Sequence, residues 1–346
     1  MKRIYIIIAC FIGTNTIMAQ DIHFSQFMNS SFLYNPGQTG LINGEHRGLL
    51  SYKSQWGSIA EPYKTYSFAY DTRIFKKQSN NTQMGLGLGF FKDVAGDTEF
   101  GTTSITLSSS AIMKLDDLNK LSLGLQGGIM QNSINDNMRW GNQYDGNGYN
   151  ENINSGELNT FDSSPFVGDF NAGVVWNYGT SESTITSNDL FSMQAGLSVS
   201  HLSRQRIKIT DFDEKLYNRF TLHGKSFVGI SNSPYAAIPG FIWQKQGPSS
   251  ELVFGSYFRT KLKNESRYTG IFKESALSLG LFYRVGDAFI PKLALEMFNF
   301  NLGVSYDFTA SGLSGPTGGN GGFEISLQYI VPVQQRYGKG TAPKMY

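Results

Sequence analysis

The sequence has almost no cysteine and few charged residues for its length. The single cysteine, Cys10, lies near the start, so the chain after residue 19 has no disulfide and no cysteine ligand or nucleophile. Charged residues make up 16% of the chain, below the roughly 25% usual in soluble domains. No segment after residue 19 has the run of about 20 apolar residues that a membrane helix needs. These absences exclude a helical membrane protein and leave an exported β-rich protein.

The N-terminus has the layout of a secretory signal peptide. Two basic residues precede the apolar run 4–12, and Ala19 ends a short stretch suited to cleavage. The run is too short to span a bilayer as a helix. We therefore predict a signal peptide at 1–19, cleaved near Ala19. Residues 7–10 loosely resemble a lipoprotein acylation site, which we rank lower because almost no apolar core would precede Cys10.

The balance of charge limits the classes of partner. The chain has 29 basic and 27 acidic residues, and removal of 1–19 takes away two basic and no acidic ones, which leaves 27 of each. A neutral protein lacks the positive surface that nucleic-acid binding needs to displace counterions. The sequence therefore predicts no nucleic-acid partner.

Apolar and polar residues alternate with period two along most of the chain. Leu86, Leu88 and Phe90 alternate with glycines, and comparable runs recur as far as 323–329. This period predicts strands with one apolar and one polar face. We predict about fourteen strands, an even number as in bacterial barrels, at 47–57, 62–74, 82–92, 99–114, 119–134, 166–178, 190–204, 217–232, 236–246, 249–263, 274–286, 289–300, 301–310 and 322–333.

Alternation alone does not say which face points inward. A soluble sandwich buries its apolar face, whereas a membrane barrel turns that face to lipid and its polar face to the lumen. Aromatic residues at strand tips, such as Trp56, Trp176 and Tyr329, favour the barrel, as do runs of the roughly 9–11 residues that cross a bilayer. We therefore predict an all-β fold, a transmembrane antiparallel β-barrel at 47–333, with a soluble secreted β-protein as the alternative.

The remaining segments are assigned from their position relative to the barrel. We predict that 20–46 is a non-barrel segment, either periplasmic or a plug, and that 334–346 is a polar tail. If both ends of the barrel lie in the periplasm, the connections 135–165, 205–216 and 311–321 face outward. That arrangement agrees with the longer outer loops of bacterial barrels.

The search for catalytic and metal-binding motifs is mostly negative. The four histidines are scattered without metal-ligand spacing, and no nucleophile elbow or phosphate-binding loop occurs. The stretch 145–151 has oxygen ligands suited to calcium but lacks the full loop pattern with its final glutamate. The sequence therefore predicts no enzyme activity, no cofactor and no metal site, with calcium at 145–151 as a minor alternative.

Charges on the polar strand faces form the first candidate site. Arg284, Asp307 and Glu324 occupy inward positions on the eleventh, thirteenth and fourteenth predicted strands, which are close together where a fourteen-strand barrel closes. Arginine presents a planar donor fork that suits carboxylates, and charges in a narrow interior need partners. We predict a lumen network centred on Arg284; the alternative is a solvated channel wall.

The long connection 135–165 is the second candidate site. It is not periodic, is rich in Asn, Gly and Asp, and carries the aromatic residues Trp140, Tyr144, Tyr149 and Phe161. Trp and Tyr often dominate the binding energy of protein interfaces. We predict a partner-contact loop at the cell surface, with a cap folded into the barrel mouth as the alternative.

Segments spread along the chain carry a family resemblance. They are 24–28 (FSQFM), 35–40 (NPGQTG), 282–288 (FYRVGDA), 303–307 (GVSYD) and 322–329 (GFEISLQY). In this order they resemble the PorP/SprF family, membrane proteins associated with the type IX secretion system of Bacteroidota. Membership of that family implies a location in the outer membrane, in contact with its lipid.

The resemblance also implies a role and partners. Family members are non-enzymatic components that support secretion or surface attachment of large proteins, including adhesins used in gliding. The expected partners are a secreted surface protein or adhesin client, other type IX secretion components and, for some members, a periplasmic peptidoglycan-binding lipoprotein. The alternative is an outer-membrane pore or hydrophobic-substrate channel, which would need an open lumen.

Overall fold

A closed antiparallel β-barrel dominates the structure, a computed structural model. It describes residues 21, 23–57, 61–74, 82–96, 99–133, 141–150, 152–154, 165–180, 190–208, 213–263, 275–312 and 314–332. The segments 1–19 and 334–346, which we assigned to a signal peptide and a polar tail, lie outside these residues.

The described residues form fourteen barrel strands, each paired with its neighbours in chain order, and β16 pairs with β1 to close the barrel. A separate two-stranded sheet, formed by β8 and β9, belongs to the connection between β7 and β10. The strands are β1 (His46–Gln55), β2 (Tyr63–Ile74), β3 (Thr82–Ala95), β4 (Phe100–Lys114), β5 (Asn119–Ser133), β6 (Val167–Gly179), β7 (Phe191–Ser200), β8 (Arg206–Lys208), β9 (Asp213–Lys215), β10 (Arg219–Gly229), β11 (Tyr235–Gln246), β12 (Ser249–Lys263), β13 (Ser275–Arg284), β14 (Ala288–Met297), β15 (Phe300–Thr309) and β16 (Asn320–Val331).

The predicted fourteen-strand antiparallel barrel is confirmed, and the strand bounds differ by only a few residues. The differences fall where the backbone leaves the extended region. We extended the seventh strand to 204, but β7 ends at Ser200 because His201 has a φ of 59°. Phe298, with a φ of 58°, makes the turn between β14 and β15. Positive φ is uncommon for residues other than glycine, so alternation could not locate these turns.

The distribution of polarity is that of a membrane barrel. Leu107 and Leu125 point outward and are each 67% exposed, whereas their strand neighbours Ser108 and Gln126 are buried. Exposed apolar surface of this extent would cost about 25 cal/mol per Å² in water. The apolar face therefore meets lipid, and a soluble protein with a buried apolar face is ruled out. None of the described helices is long and apolar enough to cross a membrane.

The hydrophobic core lies inside the barrel, between the wall and the segment that precedes β1. Phe24, Phe27, Met28 and Tyr34 pack with wall residues that include Phe282. The same segment contains two short helices, α1 (Ser31–Tyr34) and a 3-10 helix (Pro36–Gln38). The lumen of this barrel is therefore filled by its own chain.

Candidate functional site

The two ends of the barrel differ in the connections they carry. We call the end that holds the connections 134–166 and 201–218 the long-loop end. The opposite end, where β1 begins at His46 and β16 ends at Val331, is called the terminal end.

The segment 21–45, called the plug, runs through the lumen from one end to the other. Asp21 lies 3.1 Å from Arg219, the first residue of β10, at the long-loop end. Glu45 donates its N–H to the carbonyl of Val331 at 2.7 Å, at the terminal end. The described residues of this segment therefore lie inside the barrel.

The middle of the plug is shaped by Asn35. Its Oδ1 accepts the N–H of Gly37 at 2.9 Å and caps the short 3-10 helix, as short polar side chains do at helix starts. Its Nδ2 donates to the carbonyls of Val174 at 3.1 Å and Leu197 at 3.2 Å. One amide group thus shapes the turn and ties it to β6 and β7.

Glycines on the inner wall make room for this turn. A Cβ on Gly124 of β5 would lie 2.2 Å from the carbonyl carbon of Pro36, and one on Gly85 of β3 would lie 2.3 Å from the carbonyl oxygen of Thr39. No side chain fits at either position. In the sequence, the glycines of 85–89 alternate with apolar residues, and the structure shows that the plug backbone approaches this glycine face at Gly85, a common reason for glycine within strands.

The predicted charge network lies against the plug. Arg284 Nη1 is 2.9 Å from Asp307 Oδ2, and its Nη2 donates to the Ser25 hydroxyl at 2.9 Å. Glu324 accepts the backbone N–H groups of Ser25 at 2.6 Å and Gln26 at 3.0 Å. The structure thus brings Arg284 and Asp307 together, while Glu324 joins them through the plug. We had expected these groups to brace the wall, but they also bind the plug.

Two lysines outside the predicted network complete this cluster. Lys53 Nζ donates to the carbonyl of His23 at 2.8 Å. Lys292 Nζ donates to the carbonyl of Ser25 and lies 3.6 Å from the centroid of the Phe282 ring, a cation–π geometry. Lys53 is almost fully buried on the inner face of β1. Lys292 follows a proline, and its inward position could have been found from the alternation of β14.

A second ionic contact holds the plug near the terminal end. Arg47 binds Asp71 through two hydrogen bonds of 2.8 and 2.9 Å, and Asp71 also accepts the N–H of Gly40 at 2.7 Å. Asp71 is fully buried. A bidentate pair of this kind is among the stronger polar contacts, and it fixes the end of the plug that leads into β1.

A third ionic group, the Asp21 clamp, holds the plug at the long-loop end. It consists of Asp21, Asp169, His201 and Arg219. His201 Nε2 is 2.5 Å from Asp21 Oδ2, and its Nδ1 is 3.0 Å from Asp169 Oδ1. The clamp joins residues nearly two hundred positions apart, so no local pattern could reveal it.

The charges of the clamp shift two pKa values. Burial opposes ionisation of Asp21, but Arg219 and then His201 outweigh it and lower the pKa of Asp21 to about 2. Burial also opposes protonation of His201, but Asp21 and the hydrogen bond to Asp169 raise the pKa of His201 to about 9. Both groups are therefore charged near neutral pH.

The second candidate site is described only in part. Tyr144 and Tyr149 are 61% and 44% exposed and form a β-bridge with each other. Asp145 Oδ1 accepts the N–H groups of Asn147 and Gly148, which holds the turn between the two tyrosines. The structure brings these two aromatics to one exposed turn at the long-loop end. Trp140 and Phe161 lie outside the described residues.

Cavities beside the plug are small. One lined by Phe27, Met28 and Tyr34 measures about 10 Å³, and one beside Asp21 and Arg219 measures about 20 Å³. Each has room for about one water molecule. Within the ranges that the structure describes, no three His, Cys, Asp or Glu side chains are grouped as metal ligands.

Comparison with known proteins places these features in context. A family model for the type IX secretion system membrane protein PorP/SprF matches residues 17–329. No curated protein matches the chain.

Several outer-membrane barrels of known structure match the chain at low sequence identity. The CymD monoaromatic hydrocarbon channel is 10% identical with a TM-score of 0.43, covering 94% of this chain and 97% of that one. The toluene transporter TodX of P. putida is 10% identical with a TM-score of 0.42, covering 88% and 94%. A FadL homologue from Pseudomonas aeruginosa is 9% identical with a TM-score of 0.45, covering 87% and 94%.

Proposed function

We propose, because the chain belongs to the PorP/SprF family of type IX secretion system membrane proteins, that it is a non-enzymatic outer-membrane component supporting secretion or surface attachment of large cell-surface proteins such as adhesins. Its partners would be a surface-protein client on one side of the membrane. On the other side they would be further secretion components, including a periplasmic peptidoglycan-binding lipoprotein.

The filled lumen is the observation that carries this proposal. A pore needs a continuous water-filled path, whereas the plug occupies the lumen from Asp21 to Glu45. A barrel filled in this way acts through the surfaces at its two ends. Binding partners at those surfaces is the role expected of a secretion component.

The ionic contacts support a plug that stays in place. Withdrawal of the plug would remove the Ser25 contacts of Arg284, Asp307 and Glu324. Leaving a buried polar group without its hydrogen-bond partner costs about 1–3 kcal/mol for each group, and more where the group is charged. The plug is therefore a permanent part of the barrel, unlike a gate that opens in each transport cycle.

The exposed turn of Tyr144 and Tyr149 is the proposed contact for the client. Both side chains are exposed at the long-loop end, and exposed tyrosines are frequent in the energetic centres of interfaces. The double substitution Tyr144→Ala and Tyr149→Ala should lower client recovery in a pull-down from detergent-solubilised outer membrane. Phe298→Ala is the matched control, because Phe298 is 66% exposed at the terminal end.

Planar-bilayer recording separates this proposal from the pore alternative. The purified wild-type barrel should show no large steady conductance, because its lumen is occupied. A large steady conductance would favour a channel and contradict the proposal. Equal client recovery with the wild type, the double tyrosine variant and the Phe298→Ala control would remove the Tyr144–Tyr149 turn as the contact.

A further inference from the structure

The two ends of the described chain leave the barrel on opposite sides. Asp21, the first described residue, lies at the long-loop end beside Arg219. At the other extreme of the chain, β16 ends at Val331 on the terminal end. A plug can enter and leave a barrel through the same opening, but this plug crosses the lumen once, from one end of the barrel to the other.

The position of Asp21 is fixed by charge. Its carboxylate lies between His201 at 2.5 Å and Arg219 at 3.1 Å, and its backbone N–H donates to Gln246 Oε1 at 3.2 Å. These partners belong to the end of β7, the start of β10 and the end of β11, all at the long-loop end. The chain before Asp21 therefore starts from this end of the barrel.

The predicted signal-peptide cleavage would bring the N-terminus to the same place. Cleavage near Ala19 leaves Gln20 as the only residue before Asp21. Consecutive Cα atoms are about 3.8 Å apart, so the new N-terminus cannot reach the terminal end. It stays within one residue of the clamp.

The long-loop end corresponds to the cell exterior in bacterial barrels. Such barrels have longer extracellular loops and shorter periplasmic turns. The two longest connections, 134–166 and 201–218, belong to the long-loop end, whereas the longest connections at the terminal end, 180–190 and 264–274, have 11 residues each. The same rule places the end of β16 at Val331 on the periplasmic side of the membrane.

We propose that the mature N-terminus is displayed on the cell surface, reached through the lumen of its own barrel and held there by the Asp21 clamp. On the proposed function, the N-terminus would form part of the surface that faces the client, next to the Tyr144–Tyr149 turn. The C-terminal end would face the periplasmic components.

Cysteine labelling in intact cells tests the proposal, because the chain after residue 19 has no cysteine of its own. A Ser-Gly-Cys-Gly-Ser insertion between Gln20 and Asp21 should react with a membrane-impermeant maleimide added to intact cells. The same insertion after Gly315, at the long-loop end, should react equally. After Asn232, at the terminal end, it should react only once the outer membrane is permeabilised.

Two results would overturn the proposal. One is labelling of the N-terminal insertion only after permeabilisation, together with the Asn232 insertion. The other is labelling of the Asn232 insertion but not the Gly315 insertion in intact cells, which would reverse the barrel. Labelling does not depend on secretion, so either result would contradict the surface display of the N-terminus without contradicting the proposed function.

A second measurement covers the case in which the N-terminal insertion prevents folding. The variant Gln20→Ser keeps the plug intact and leaves a free α-amine that cannot cyclise. A membrane-impermeant amine reagent should modify this α-amine in intact cells, as read by mass spectrometry of the N-terminal peptide. Modification found only after permeabilisation would contradict the proposal in the same way.

Discussion

The contact between Gly124 and the plug gives the sharpest test of the filled lumen. The change Gly124→Ala adds one Cβ, which would lie 2.2 Å from the carbonyl carbon of Pro36 and 2.4 Å from the nitrogen of Gly37. Both contacts are to backbone atoms, so no side-chain rotation can relieve them. Ordinary contact begins at 3.4 Å, so strand and plug must separate by about 1.2 Å, the difference between 3.4 and 2.2 Å.

The energetic cost follows from what that separation breaks. The Asn35 amide donates to β6 and β7 over 3.1 and 3.2 Å, and a shift of the plug away from the wall lengthens both bonds beyond hydrogen-bonding distance. A buried polar group left without a partner costs about 1–3 kcal/mol, and overpacking costs about 1–3 kcal/mol when the structure cannot shift. Whichever occurs, we expect Gly124→Ala to lower the free energy of unfolding by about 1–3 kcal/mol.

The matched control is Gly48→Ala in β1. No atom lies within 4 Å of a Cβ added to Gly48, and alanine in an open position is expected to be neutral or to stabilise by about 0.4–1 kcal/mol. Urea titration of both variants in detergent, followed by heat-modifiable gel mobility, measures the difference. Equal unfolding midpoints for Gly124→Ala, Gly48→Ala and the wild type would refute the close approach of plug and wall.

Three further predictions concern charge and orientation. Arg47→Met should cost about 3–5 kcal/mol, because it leaves buried Asp71 unpaired, and the double variant Arg47→Met/Asp71→Leu should be closer to wild type in urea titration; a double variant worse than the single would contradict this. Limited proteolysis in detergent measures release of the N-terminus from the Asp21 clamp, and we expect this release to increase as the pH rises through about 9. The raised pKa of His201 gives stability that is complete below pH 6.5 and is lost through about 9, and His201→Gln should abolish the pH dependence. On the acid side, the lowered pKa of Asp21 gives stability that is complete above 3.8 and is lost as the pH falls through about 2. Leu279→Arg should destabilise the inserted barrel by about 2–4 kcal/mol, because Leu279 faces lipid at the middle of β13; normal heat-resistant mobility would count against the strand register.

The sequence alone was sufficient to predict the strands of the barrel wall. Strand positions follow from alternation, which is a property of adjacent residues and survives without knowledge of the rest of the fold. The strand count in turn places the eleventh and thirteenth strands near the closure, which explains why Arg284 and Asp307 could be paired in advance. The alternation also placed Gly85 and its neighbouring glycines on one face of a strand, but it did not show what lies against that face.

The plug and its contacts were decided by the tertiary structure. Ser25 binds Glu324 across 299 positions and Asn35 binds Leu197 across 162, and no periodic pattern connects such distant residues. The sequence predicted that 20–46 is a non-barrel segment but did not decide whether it lies in the periplasm or in the lumen. The position of a segment without periodicity depends on the cavity in which it packs, and that cavity exists only once the first and last strands have paired. The course of the plug, and with it the side of the barrel that carries Asp21, could therefore be seen only in the closed barrel.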